Sequence, residues 1–181
     1  VSLVSQPLWH AGFRPFFALA CLAGLSLPIA WILIFKGVLP APAQHFSPVQ
    51  WHAHEMFFGF GWAVLGGFLL TSTKNWVGVR GYHGGTLMFL AAAWVIERIG
   101  MSFGGGWPLP LFLLSNNLFL CSIVVLLLAT LIRNRDKDSY RRDNVFFLIV
   151  LPLFWVAKTL LLSPEHFNLG CIDCFKLEQG F

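Results

Sequence analysis

Charge is what this chain has least of. Charged residues make up 11% of its 181 positions, against 57% hydrophobic residues, 16% aromatic residues and a mean hydropathy of +0.72. Too little charge remains to cover the surface of a water-soluble domain, so that class is excluded and an integral membrane protein is implied. Lys and Arg number 12 and Asp and Glu 8, for a formal net charge of +4. In a soluble protein this excess would suggest nucleic acid. Here the basic residues gather between apolar spans, the pattern of loops held on the cytoplasmic side, and no nucleic-acid role follows. Catalytic signatures are missing too. His52-Ala53-His54-Glu55 lacks the i, i+4 histidine pair of the zinc-protease helix, and the glycine run at 104–106 lacks the strand-turn-helix context of a phosphate loop. No catalytic residue is assigned. Of the 4 cysteines, Cys21 and Cys121 lie in apolar spans as small hydrophobes. Cys171 and Cys174 form a CxxC without the strand-helix setting of a thioredoxin-like centre, leaving a short disulfide or an accidental pair.

What is present is a series of apolar stretches. A lead-in over 1–15 carries interfacial Leu8, Trp9, Phe13 and Arg14, with His10 four positions before Arg14. Spans are predicted over about 16–35, 53–73, 86–101, 109–132 and 144–162, the first and last bent at Pro28 and Pro152. The first is too long, and too poor in a following cleavage site, for a signal peptide, and reads as a retained helix. Residues 163–181 change composition and form no sixth span. The expected fold is all-α, a polytopic transmembrane bundle of about five helices. Counted by alternating side, Arg14, Lys74, Arg80 and the five basic residues of 133–142 oppose Lys36, Arg98 and Lys176, so the N-terminus is expected inside and the C-terminus outside.

The second span organises the rest. From Ala53 to Thr73 only Glu55 is charged, and an ionisable residue at that boundary is costly unless used. His52 and Glu55, three apart, share a helical face, while His54 points roughly opposite. Below them Gly59, Ala63, Gly66 and Gly67 form a small-residue stripe that admits another helix or a flat cofactor. Glu97 and Arg98, adjacent on the third span, are expected to diverge and to need other partners. Asn116 and Asn117 sit in the fourth span, where at least one must turn inward, and Lys158 in the fifth. With the predicted topology all these groups fall in one outer layer. Imidazole suits iron, copper and zinc, and Glu55 or Glu97 could orient a ring through its second nitrogen. A plainer reading also stands, since helix ends are polar and an interfacial histidine can cap a helix or reach water.

Three segments carry a resemblance. Gly12-Phe13-Arg14-Pro15-Phe16-Phe17, then Trp51-His52-Ala53-His54-Glu55-Met56-Phe57-Phe58-Gly59-Phe60, then Gly67-Phe68-Leu69-Leu70-Thr71 with Asn75, Trp76 and Gly78, resemble the opening half of the NnrS family. Arg141, Arg142 and Asn144 look like its later loop. The likeness runs over roughly Leu8 to Leu162. It implies a polytopic bacterial inner-membrane protein containing haem and copper and linked to nitric oxide metabolism or nitrosative-stress resistance. On this resemblance His52, His54 and Glu55 become candidate metal or haem positions and Arg14 the first motif's charged residue. The small-residue stripe adds Gly59 as a cofactor-binding position and the polar layer adds Glu97, Arg98, Asn116, Asn117 and Lys158 as surroundings, with His52 and His54 the candidate metal ligands. Family chains have about twice this length and carry histidines in a second half, so this chain looks like an N-terminal portion. The rival reading is a transporter or proton- or anion-path fragment with no redox cofactor, using Glu55, Glu97, Arg98 and Lys158.

Overall fold

The computed structural model describes residues 6–40 and 47–162; His45, Cys171, Cys174 and the segment 163–181 lie outside the described residues. A 3-10 turn, Pro7–His10, leads into α1 (Phe13–Phe35). The next rod is composite: α2 (Pro48–His54), a π-helical segment (Glu55–Gly61) and α3 (Trp62–Val77). Then come α4 (Gly85–Phe103), continued by a 3-10 turn at Gly104–Gly106, α5 (Leu109–Arg133) and α6 (Val145–Leu162). Five stretches, with α2 to α3 as one rod over Pro48–Val77, are long and apolar enough to cross a membrane, and 83% of the structure is helical. The chain is a multi-pass membrane protein built only of helices among its described residues.

The second rod begins before its apolar stretch because the local chemistry starts a helix there. Ser47 Oγ accepts from Gln50 N at 3.2 Å, Gln50 Oε1 accepts from Ser47 N at 2.9 Å, and Pro48 fills a position where its missing N–H is not needed. His52 and His54 therefore lie inside the helix. The rod ends where Gly78 takes a left-handed φ of +62°.

Helix α1 runs antiparallel to this rod. A Cβ on Gly67 would come 2.8 Å from Phe16 Cβ, Gly24 faces the ring of Phe60, and Trp31 stacks on His52 with centroids 4.6 Å apart. Helix α5 packs against α3 through Ile123 on Gly66, and against α4 through Ser115 and Asn116 on Gly100. Thr159 donates to Asn117 Oδ1 at 3.0 Å, tying α6 to α5. The small residues expected to allow close approach do so, but what fills the gaps at Gly66 and Gly67 is side chains of neighbouring helices.

Two apolar clusters result. The larger is built on Phe16, Trp62, Leu87, Phe119 and Leu151, the smaller on Ile34, Trp51, Met101, Phe112 and Leu162. On four spans the chain crosses from one cluster to the other through a buried polar group. His54 and Glu55 lie between Trp51 and Phe58, Glu97 between Trp94 and Met101, Ser115 and Asn116 between Phe112 and Phe119, and Lys158 between Leu151 and Leu162.

Candidate functional site: a buried ionic layer under two histidines

Glu55 and Glu97 are fully buried, as is Lys158, and each charge is met by another. Arg98 Nη1 donates to Glu55 Oε2 at 2.7 Å, its Nη2 donates to Glu97 Oε1, and Lys158 Nζ donates to the same Glu97 oxygen. Two carboxylates thus face two cations, a formal sum of zero, and the layer avoids an uncompensated charge in a low-dielectric interior. Aromatic faces complete it. Lys158 Nζ lies 5.1 Å from the Phe58 ring and the Arg98 guanidinium 5.5 Å from Trp94.

Contrary to the expectation that Glu97 and Arg98 diverge, they meet. Their Cα–Cβ vectors do part around the helix, but the long arginine side chain reaches back, so one guanidinium bridges the carboxylate beside it and Glu55 on the facing rod. Gly59 makes that bridge possible, since a Cβ there would overlap Arg98 Nη1. The π-helical turn contributes as well. Trp94 Nε1 donates to the Gly59 carbonyl at 3.0 Å, a side-chain donor taken up by the backbone inside a segment of displaced helical hydrogen bonds.

The two histidines go different ways. His54 is buried, its Nδ1 lies 3.3 Å from Glu55 Oε1 and its ring stands 5.1 Å from Phe58, while its Nε2 is buried with no partner among the described residues. His52 is turned to α1, stacked on Trp31, with a buried Nδ1 that also lacks a described partner. The carboxylate thus meets the histidine next to it in sequence and not the one three residues earlier. Side-chain reach, not helical phase alone, selects the pair.

The remaining candidates divide. Asn116 is buried beside Gly100, one turn from Glu97, donating to Phe112 O at 2.8 Å with Oδ1 left without a described partner. Asn117 serves the α5–α6 contact and donates to Leu113 O at 3.0 Å. Arg14 is remote: it donates to Pro7 O at 2.7 Å at the start of α1, and the 17 residues from there to Trp31 amount to about 25 Å of helical rise. Antiparallel pairing puts Arg14 at the end of the bundle opposite His52. Trp31, Trp94 and the π turn belong to the site but had no signal in the sequence, because a tryptophan in an apolar span is indistinguishable from core.

As a donor set, His54 with its carboxylate-held Nδ1 and open Nε2 has the form of a single oriented imidazole ligand. Among the described residues no three His, Cys, Asp or Glu gather into a group that could hold a metal ion. The residues present therefore fit one protein ligand to a cofactor and do not by themselves enclose a metal. The family model described as NnrS protein matches residues 7–171. No curated protein and no solved structure matches the chain.

Proposed function

Because the chain belongs to the NnrS family, whose members are nitric-oxide-response membrane proteins, we propose that it is a haem- and copper-associated protein of the bacterial inner membrane that takes part in nitric oxide metabolism or nitrosative-stress resistance. The single observation that carries the cofactor reading is the buried Nε2 of His54, without a partner among the described residues, on a ring whose other nitrogen meets Glu55. A buried imidazole nitrogen without a partner is costly, and a metal ligand bond removes that cost.

When bound, a haem would supply an iron able to take nitric oxide; the chain's own residues hold and orient. Glu55 fixes the His54 ring, Arg98 fixes Glu55, and Glu97 with Lys158 holds Arg98. His52 is the second imidazole on offer. Two residues apart on a helix, it and His54 point about 200° apart and would serve different groups. Among the described residues these are single ligands and not a closed set, so any further ligands would come from outside them.

The test is an optical spectrum of the purified protein. The expected result is a Soret band that shifts on adding nitric oxide and disappears in His54→Ala. Pyridine-haem and elemental analyses showing neither haem nor copper, in this chain and in an intact family member, overturn the proposal. A second reading is favoured by the unbroken chain His54, Glu55, Arg98, Glu97, Lys158, which links three spans through ionisable groups. In that reading the layer lines a proton or anion path in which Arg98 is a fixed cation, and proteoliposomes would show a pH-dependent ion flux that Glu97→Gln abolishes.

A further inference from the structure

The bundle has a second organised polar region at its other end. The 22 residues from His52 to Lys74 place it about 33 Å along the rod from the histidines. Two adjoining cavities, about 190 Å³ and about 500 Å³, share Lys74, Arg80 and Tyr82; Arg133 lines the first and His10 the second. No acidic residue lines either cavity, and none of Lys74, Arg80 and Arg133 forms an ion pair with an acidic group among the described residues. Three cations line one cavity with no acidic partner among the described residues, whereas at the histidine end the buried carboxylates and cations are matched.

The cleft is also built. Gly78 and Gly84 take φ of +62° and +59°, so the loop between α3 and α4 folds back over the helix ends. Tyr82 Oη pins it, donating to Leu126 O at 3.0 Å and lying 2.8 Å from Thr130 Oγ1 on α5. Gly84 N donates to Trp9 O at 2.7 Å, and Val79 N to Lys74 O at 3.1 Å. The Lys74 stem runs beside Gly81, where a Cβ would come 3.0 Å from Lys74 Cδ. Asp138, whose oxygens accept from Asn144 Nδ2 at 2.9 and 3.0 Å, lines neither cavity. Leu70 and Leu127 give the first cavity an apolar floor.

Cations lining one cleft, two of them exposed arginines, an apolar floor and a position level with the helix ends match one chemistry. We propose that Lys74, Arg80 and Arg133 bind a phosphate group, presented by an anionic phospholipid headgroup at the membrane surface. Each guanidinium meets phosphate oxygens two at a time, the buried leucines close the cavity from the core side, and Lys74 adds a point charge.

The full chain in nanodiscs of phosphatidylcholine containing phosphatidylglycerol provides the test, with native mass spectrometry reading the lipid retained. Preferential retention of phosphatidylglycerol is expected, falling about tenfold in the double variant Arg80→Gln/Arg133→Gln while helical circular dichroism is unchanged. Arg80→Gln alone, a change in the connecting loop, keeps the test open if the double variant does not fold, and is expected to lower retention in the same direction. Retention with no preference over phosphatidylcholine, or a preference that survives these substitutions, overturns the proposal. So does inorganic phosphate bound through the same three residues in discs that show no preference for phosphatidylglycerol, which would assign the cleft to a free ion.

Discussion

Glu97 accepts from both cations through one oxygen, while its other oxygen has no described partner, so Arg98 and Lys158 share the same carboxylate oxygen. Removing one member of such a buried set costs more than removing a matched pair, because the survivor keeps its desolvation penalty and loses its compensation. Lys158→Met is expected to destabilise the protein by about 3–5 kcal/mol, and Glu97→Gln/Lys158→Met to recover most of that. Thermal unfolding in detergent reads both; equal losses in the single and double variants would sink the idea. The need for an inward-facing cluster was legible in the residues, since a carboxylate in an apolar span has few other options. The identity of the partners was not. Helical phase places His52 with Glu55 and separates Glu97 from Arg98, yet the structure pairs His54 with Glu55 and joins Glu97 to Arg98, because side-chain length and the room left by Gly59 decide which atoms touch.

Among the elements, two adjacent glycines separate what kind of contact holds each pair of helices. At Gly66 an added Cβ would come 2.6 Å from Ile123 Cδ1, the free end of a side chain that can rotate away. At Gly67 it would come 2.8 Å from Phe16 Cβ, which moves only if the α1 backbone moves. Gly67→Ala is therefore expected to cost about 1–3 kcal/mol and Gly66→Ala clearly less. Unfolding midpoints of the two variants check this, and a larger loss at Gly66 would contradict the account of the α1 contact. Helix existence followed from apolar length, but the start of the second rod did not, because its Ser47 and Gln50 capping pair precedes the apolar run. The π turn over Glu55–Gly61 had no advance signal either. It is specified by what packs on it, including the Trp94 indole on the Gly59 carbonyl.

For the molecule as a whole, the two ends differ in how their charge is handled: neutralised inside the bundle near His54, and left open around Lys74, Arg80 and Arg133. The basic bias between spans predicts that the open end faces the cytoplasm. Fusions after Ser139 are expected to give fluorescent green fluorescent protein and inactive alkaline phosphatase, and fusions after Trp107 the reverse. The opposite pattern would put the histidine layer on the cytoplasmic side and the phosphate cleft outside.

Composition and apolar run length alone determined that this is a multi-pass helical membrane protein, because hydrocarbon tolerates neither open backbone nor unpaired charge. Only the tertiary structure decided that the layer closes as two carboxylates on two cations, that His52 rests on Trp31 while His54 keeps a nitrogen with no partner among the described residues, and that Arg14 belongs to the far end. The physical reason is reach. Periodicity reports which way a Cβ points, whereas a guanidinium or an ammonium several bonds further out finds its partner according to which neighbouring helix leaves it space.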